Sequence, residues 1–351
     1  MLKDLSRLES VVQEVITAEE LRTLDAAKGY AGFEPSGPLH IGTGLYWTNI
    51  FNLAADAGIE MTLLLADWHA AVNDKFDGDM EKIRRNAEYM RQGFLSCGLN
   101  PKVKFLYASE LVANSDYWAL LLRVAKALTI SRIKRALPIM GRNEEDADKD
   151  SSKLIYPMMQ ATDIFYMDLD VAFGGMDQRH VHMLARDIHK KVGKKGFVAI
   201  HSHLISSLKG GNRMDPMNKM SKSKADSAIF IHDSPEDISR KIKSAFCPEK
   251  TVEGNPILQI YKNVVFNFYN DGVQIGEREE YATYADLERD FVEGKIHPSD
   301  LKESLSHKLI KILEPSKKYF ESNPERVRRK SSPNNVGYSN NEIKRIFVES
   351  C

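Results

Sequence analysis

Residues 29–67, GYAGFEPSGPLHIGTGLYWTNIFNLAADAGIEMTLLLAD, carry the pattern that decides the fold. GYAGFE at 29–34 is typical of a strand, and PSGPLHIGTG at 35–44 of a glycine-rich turn. LYWTNIFNLAADAG at 45–58 is typical of a helix, and MTLLLAD at 61–67 of a fully buried strand. The stretch therefore predicts one βαβ unit.

The same alternation continues along the chain. Apolar periodicity predicts helices at about 79–97 and 116–137, and short apolar runs predict strands near 103–108, 170–175 and 197–201. Strands that alternate with helices favour a parallel sheet covered on both faces. We therefore predict a Rossmann-like, doubly wound α/β fold.

The pattern changes at both ends of this α/β region. Residues 6–25 have apolar and acidic residues at helical spacing, and beyond about Asp233 four segments in succession have the same spacing. The dense polar run at 143–153 predicts a surface loop. The expected organisation is an N-terminal helical segment at 1–27, a Rossmann-like domain at 28–232 with an insertion at about 116–165, an all-α C-terminal domain at 233–330, and a polar tail at 331–351.

Composition excludes several classes of protein. The 351 residues include 49 Lys and Arg and 49 Asp and Glu, so the zero net charge indicates no global field for a polyanion. The longest apolar runs are too short to span a bilayer, and the first residues do not resemble a secretory signal. Three separated cysteines do not fit a disulfide framework. We expect a cytoplasmic protein without membrane association.

Two segments have chemistry suited to phosphate groups. The turn at 35–44 opens a helix, where backbone N–H groups and the helix dipole favour an anion. Its spacing matches neither a P-loop nor GxGxxG, and taken alone it could be an ordinary tight turn. NKMSKSK at 218–224 groups three lysines with small hydroxyl residues, which suits developing negative charge on phosphates. Taken alone, that segment could be a solvated basic loop.

HIGT at 40–43 and KMSKS at 219–223 together resemble the paired signature of the class I aminoacyl-tRNA synthetases. Within that family the chain is most similar to the tyrosyl-tRNA synthetases of archaeal and eukaryotic type, from about Tyr30 to about Pro315. The resemblance is carried by YAGFEPSGPLHIG, LLADWHA, YPMMQATDIFY, VAFGGMDQRHVHMLARD, KMSKSK, CPEKTVEGNP and HPSDLK.

The resemblance implies an activity and partners. The enzyme would activate tyrosine with ATP to tyrosyl-adenylate and pyrophosphate, and would then transfer tyrosine to the 3′-terminal adenosine of tRNA(Tyr). The α/β domain would be catalytic and the C-terminal domain would bind the anticodon. A homodimer would form through the apolar helix at about 116–137 and the insertion.

The resemblance also implies which residues handle ATP. Catalytic contacts to the phosphates are assigned to His40, Ser36, Thr43, Lys219 and Lys222. Other ATP contacts are assigned to Gly42, Gly175, Asp177, Met220, Ser221 and Ser223. Thr43 departs from the family, which has histidine there. Because a hydroxyl can donate a hydrogen bond but cannot become an imidazolium, we expect activity with altered phosphate affinity.

A polar helix face predicts the amino-acid pocket. Tyr156, Gln160 and Asp163 lie at i, i+4 and i+7, and that face is too polar for a core. The resemblance implies that Tyr156, Gln160 and Gln178 hold the substrate ammonium. It also implies that Asp163 and Tyr30 bind the phenolic hydroxyl, with Glu34 beside the amino acid.

Other polar residues have two interpretations. Asp177 follows a buried strand, where it suits a ribose hydroxyl or, equally, a helix cap. The resemblance assigns Arg135 and Arg179 to the tRNA acceptor stem, and His297 and Asp300 to the first anticodon base. Without it, such charges would be regarded as a solvated face.

We expect no structural metal, because the two HxH pairs have no neighbouring cysteine and helical HxH rings point apart. Mg²⁺ would enter with ATP. Three other hypotheses remain open from sequence: a tryptophan-activating enzyme of the same architecture, a nucleotidyl transferase without a tRNA role, and an RNA-binding or signalling paralogue that has lost catalysis.

Overall fold

A six-stranded sheet organises the described part of the chain. The computed structural model describes residues 2–3, 5–141, 150–210, 220, 225–269, 271–276 and 280–323. The strands are β1 (Glu14–Ile16), β2 (Ala27–Phe33), β3 (Ile59–Leu65), β4 (Lys104–Tyr107), β5 (Val171–Gly175) and β6 (Val198–Ser202). Their spatial order is β1-β6-β5-β2-β3-β4. Every neighbouring pair is parallel except β1 with β6.

Helices connect and cover these strands. Those up to β6 are α1 (Ser6–Val11), α2 (Ala18–Thr23), α3 (Leu45–Asp56), α4 (Asp67–Val72), α5 (Met80–Ser96), α6 (Ala108–Val112), α7 (Ser115–Ala127), α8 (Ile130–Lys134), α9 (Ser152–Tyr166) and α10 (Arg179–Ile188). Short 3₁₀ turns occupy Lys75–Gly78, Leu137–Met140, Met176–Gln178 and Ala225–Ser227. The predicted α/β alternation and the Rossmann-like class are confirmed.

The predicted βαβ unit is formed by β2, α3 and β3. The two strands pair in parallel, with Tyr30 opposite Thr62. The core face of α3 brings Trp47 and Phe51 to Phe33 at the end of β2, with ring centroids 5.3 and 6.2 Å away. Such aromatic packing stabilises a fold by more than the buried area alone would. It fixes the start of the glycine-rich turn, since Phe33 is its neighbour in sequence.

The sheet has a topological switch point at β2. From β2 the chain adds β3 and β4 on one side, and β5 and β6 later extend the other side. In parallel α/β sheets, ligands bind at the carboxyl ends of the strands where the order reverses. The segments after β2 and β5 therefore mark the expected site.

The N-terminal prediction was wrong in part. Residues 6–25 do not form one helix, because β1 separates α1 from α2 and pairs antiparallel with β6, with Val15 opposite Ile200. A strand of 3 residues is too short to leave an alternating pattern in the sequence.

The prediction of a single helix at about 116–137 was also wrong. It is divided into α7, α8 and a 3₁₀ turn by extended backbone at Leu128 and Thr129. The Thr129 side chain accepts a hydrogen bond from the Arg132 backbone N–H, so Thr129 caps the second helix. Most of the predicted polar loop at 143–153 lies outside the described residues.

The C-terminal region is helical apart from a small hairpin. It contains α11 (Pro235–Ser244), α12 (Pro256–Ile260), a π-helix (Tyr261–Phe266), β7 (Val273–Gln274), β8 (Glu280–Tyr281), α13 (Tyr284–Glu293) and α14 (Pro298–Ser322). The hairpin of β7 and β8 corrects the all-α expectation. One apolar core runs from Phe51 and Phe94 in the α/β region to Leu305 and Leu309 in α14.

No helix in the described ranges is both long and apolar enough to cross a bilayer. The tail at 331–351 lies outside those ranges. The domain boundaries near 27 and 232 remain proposals.

Candidate active site

The turn after β2 is fixed by the segment that precedes α11. His40 forms an isolated antiparallel bridge with Phe230. Ile41 donates its backbone N–H to the Ile229 carbonyl at 2.8 Å, and Ile231 donates to the Leu39 carbonyl at 3.0 Å. The turn therefore has a defined backbone path. It leads directly into α3, whose N-terminal dipole faces the same edge of the sheet.

Within the turn, His40 is nearly buried and its Nε2 lies 3.2 Å from Thr43 Oγ1. Thr43, which replaces the family's histidine, thus contacts the first histidine of the motif directly. Gly37 has a φ of 125°, a backbone conformation that only glycine adopts easily. Ser36 Oγ donates to the Glu34 carbonyl at 3.2 Å, so the hydroxyl lies at the beginning of the turn.

Met220 of the second motif and Gly42 of the first both lie next to Ile205. The Met220 backbone N–H donates to the Ile205 carbonyl at 3.0 Å, and a Cβ placed on Gly42 would lie 3.1 Å from Ile205 Cβ. The predicted residues Lys219, Ser221, Lys222 and Ser223 lie outside the described residues. Met220 itself is buried.

The predicted phenol-binding residues meet in the interior. Tyr30 on β2 and Asp163 on α9 are each 1% exposed. Burial raises the pKa of Tyr30, and the negative charge of Asp163 raises it further, while a hydrogen bond with Gln160 opposes the shift. The Tyr30 hydroxyl is therefore a neutral donor, and Asp163 is an acceptor on the same side of the pocket.

Two residues that sequence reasoning missed hold the Asp163 carboxylate. Tyr117 on α7 donates its hydroxyl to Oδ1 at 2.7 Å, and His69 Nε2 lies 3.0 Å from Oδ2. Burial opposes a charge on His69, but the Asp163 carboxylate outweighs it and raises the His69 pKa. His69 lies on α4, the helix that follows β3 in LLADWHA, and this position near a strand's carboxyl end is a signal that sequence analysis could have used. Tyr117 has no such signal.

The other end of the pocket is amide-rich. Gln160 donates to Gln178 Oε1 at 3.0 Å, which joins α9 to the turn after β5. The buried Tyr156 ring packs edge-on against His69, with centroids 5.2 Å apart. Burial raises the pKa of Tyr156, and Glu34, which is hydrogen-bonded to it, raises it further. These groups offer acceptors for an ammonium.

Glu34 is held by residues of the α4 region. Asn73 donates to its carboxylate at 2.9 and 3.2 Å, and Lys75 lies 3.7 Å away. Asn73 was also missed by sequence reasoning. Glu34 thus lies between the HIGT turn and the Tyr156 hydroxyl.

Asp177 lies beside the glycine pair that ends β5. A Cβ on Gly175 would lie 2.6 Å from Asp177 Oδ1, so only glycine allows this close approach. Gln178 occupies the N-cap position of α10, and its side chain makes no capping hydrogen bond. A carboxylate at this edge remains suited to a ribose hydroxyl.

The predicted tRNA residues lie in two regions. Arg135 is exposed after α8, and Arg179 begins α10 directly after Gln178. Arg179 Nε donates to Glu14 on β1 at 2.8 Å. His297 caps α14 by accepting from the Ser299 backbone N–H, and the Asp300 carboxylate accepts from the Ser299 hydroxyl. Arg179 lies next to the pocket residue Gln178, and the second pair belongs to the C-terminal region.

The arrangement can place an α-amino acid against a nucleotide. A buried carboxylate and a tyrosine hydroxyl face one end of the pocket, and amide and carboxylate oxygens face the other. The HIGT turn, Met220 and Asp177 lie at the strand ends, where phosphates and ribose fit. The residue roles at these positions remain proposals.

Comparisons with known proteins agree with this geometry. A family model described as "tRNA synthetases class I (W and Y)" matches residues 24–314. A protein from Picrophilus torridus named "Tyrosine--tRNA ligase" is 53% identical over 310 residues, covering 85% of this chain and 94% of that protein.

Two solved structures share the whole fold. The tyrosyl-tRNA synthetase from Aeropyrum pernix superposes with a TM-score of 0.85 at 43% identity, covering 92% of this chain and 96% of that one. The tyrosyl-tRNA synthetase from Pyrococcus horikoshii, complexed with L-tyrosine, has a TM-score of 0.85 at 38% identity, covering 92% and 97%.

Proposed function

Because the chain belongs to the class I tRNA synthetases of the tryptophan and tyrosine group, we propose that it is a tyrosine–tRNA ligase. It activates tyrosine with ATP and transfers the tyrosyl group to tRNA(Tyr). It acts in the cytoplasm, where tRNA is charged for translation.

The observation that carries the choice of tyrosine is the buried Asp163. Its carboxylate is 1% exposed and lies by Tyr30, so it offers an acceptor for a phenolic hydroxyl. A phenylalanine ring would offer no donor to the lone pairs of Asp163 that Tyr117 and His69 do not use, and an indole has its N–H in a different position. The pocket therefore favours tyrosine.

The first reaction step needs positioning and charge stabilisation. A carboxylate oxygen of tyrosine attacks the α-phosphorus of ATP, and the bond to the pyrophosphate oxygen breaks. We assign stabilisation of the phosphates to His40, Ser36, Thr43 and the α3 N-terminus, together with Lys219 and Lys222. Mg²⁺ would arrive bound to ATP, with phosphate oxygens and water as its ligands. Asp177 holds the ribose.

In the second step, a hydroxyl of the 3′-terminal adenosine of tRNA attacks the tyrosyl carbonyl and AMP leaves. Arg135 and Arg179 contact the acceptor stem, and His297 and Asp300 contact the anticodon. A homodimer forms through α7 and the insertion. Its support is an apolar face on the described part of that region, where Trp118 and Leu122 are 45% and 67% exposed.

Amino-acid-dependent ATP–pyrophosphate exchange tests the activation step. Tyrosine should support exchange, whereas tryptophan and phenylalanine should not. Preference for tryptophan would overturn the assignment of the pocket. Tyrosine-dependent exchange without charging of any tRNA would favour a nucleotidyl transferase, and no exchange at all would favour a paralogue without catalysis.

A further inference from the structure

A buried ion pair joins the C-terminal region to the catalytic turn. Lys241 on α11 lies with its Nζ 2.6 Å from Asp233 Oδ2, and the side chains are 4% and 2% exposed. The same Nζ donates to the Ala228 carbonyl at 3.0 Å and lies 4.6 Å from the centre of the Phe230 ring. One ammonium thus contacts three points of the segment 228–233.

That segment is the one that pairs with the HIGT turn. Asp233 Oδ2 also accepts from the Phe230 backbone N–H at 2.8 Å, which fixes the residue that bridges to His40. The neighbouring backbone bonds, from Ile41 to Ile229 and from Ile231 to Leu39, attach the turn on both sides of His40. A displacement of the segment would therefore displace His40.

A buried ion pair is weak evidence for stability, because an apolar pair of similar volume is often as stable. What the pair supplies here is geometry, since its atoms contact the backbone of the segment at two separate points. We infer that Lys241 and Asp233 are positioning residues for His40, and that α11 completes the catalytic site. This inference rests on the proposed function.

The test is Lys241→Met, which removes the charge and keeps most of the chain length. The kcat of tyrosine-dependent ATP–pyrophosphate exchange should fall by about ten- to a hundredfold, as expected for a misplaced catalytic turn. The KM for tyrosine should stay within about twofold, because the pocket is built from other elements. Lys243→Met, an exposed position on the same helix, is the matched control and should change neither constant.

A second variant separates positioning from stability. Lys241→Met combined with Asp233→Asn leaves no unpaired buried charge and keeps an oxygen for the Phe230 N–H. Its Tm should recover relative to Lys241→Met, while kcat should stay low because Ala228 has lost its anchor. If kcat recovers together with Tm, the pair is merely structural and the inference is overturned.

A third measurement does not depend on activity. Hydrogen exchange of the Ile41 and Ile231 amides should be faster in Lys241→Met and unchanged in Lys243→Met. Unchanged exchange in Lys241→Met would overturn the inference even if the enzyme activates tyrosine. Wild-type protein that fails to activate tyrosine would instead overturn the proposed function, and hydrogen exchange would still decide the positioning role.

Discussion

Asp163 shows how single residues set the chemistry of the pocket. Its two carboxylate oxygens contact different partners, the Tyr117 hydroxyl on one side and His69 on the other. A carboxylate offers more lone pairs than these two contacts use, so under the proposed function Asp163 can also accept from a hydroxyl on the substrate ring.

We expect Asp163→Ala to abolish the preference for tyrosine over phenylalanine while the fold stays intact. The variant loses the carboxylate that would accept from the phenolic hydroxyl, so the ratio of kcat/KM for the two amino acids should fall by about ten- to a hundredfold. The measurement is pyrophosphate exchange with each amino acid. Thr162→Val, which removes a helix-internal hydroxyl next to Asp163, should leave the ratio unchanged. Unaltered selectivity in Asp163→Ala would show that the pocket is wrongly assigned.

His69 predicts a pH dependence of stability. Its pKa in the folded protein is raised above the ordinary 6.5, because Asp163 outweighs the effect of burial. Its contribution to stability is therefore complete below the unfolded-state pKa and is lost as pH rises through the raised value. Urea unfolding at a series of pH values measures this effect. The free energy of unfolding of wild type should exceed that of His69→Gln by an amount that decreases as pH rises. An advantage that grows with pH would contradict this sign.

At the scale of elements, four side chains connect β1, α10 and β6. Arg179 and His201 both contact Glu14, and His201 Nε2 lies 3.1 Å from His182 Nδ1. His182 and His201 have 0% exposure. The edge strand is therefore joined by polar contacts to the helix that follows the pocket glutamine.

This cluster should make the protein sensitive to acid. Burial, with a smaller effect of His201, lowers the pKa of His182 to about 3. His182 binds a proton at about pH 6.5 in the unfolded chain but not in the folded chain. The free energy of unfolding therefore decreases as the pH is lowered from 6.5 towards 3, by about 2 kcal/mol at pH 5. His182→Asn should flatten the dependence in urea unfolding, and His180→Asn, exposed on the same helix, should reproduce the wild-type curve. If His182→Asn loses stability in acid as strongly as wild type does, His182 is not the cause of the acid sensitivity.

At the scale of the whole molecule, sequence periodicity predicted the parallel core, since long apolar patterns record which face is buried. It could not predict β1 or the break at Thr129, because both depend on tertiary contacts of a few residues. The polar face of α9 drew attention to Asp163, Gln160 and Tyr156 as pocket candidates, and their roles stay a prediction. Tyr117 could not be identified because its role depends on α7 crossing α9, which no local pattern records.

Oligomeric state can be tested on the exposed face of α7. Trp118→Glu with Leu122→Glu places charges where apolar side chains would be buried between two copies, so the protein should become a monomer in analytical ultracentrifugation. Val292→Glu changes a comparably exposed apolar residue on α13 and should leave the mass unchanged. A wild-type protein that sediments as a monomer would exclude the proposed dimer.

The antiparallel pairing of β1 with β6 has a consequence for where this protein can be shortened. The family model begins at residue 24, after β1, although Glu14 on that strand contacts both Arg179 and His201. A truncated chain that starts at the family boundary would leave the backbone of β6 as an open edge, and open edges recruit strands from other molecules. Such a fragment should aggregate, because the smallest autonomous folding unit is larger than the region that the family model matches.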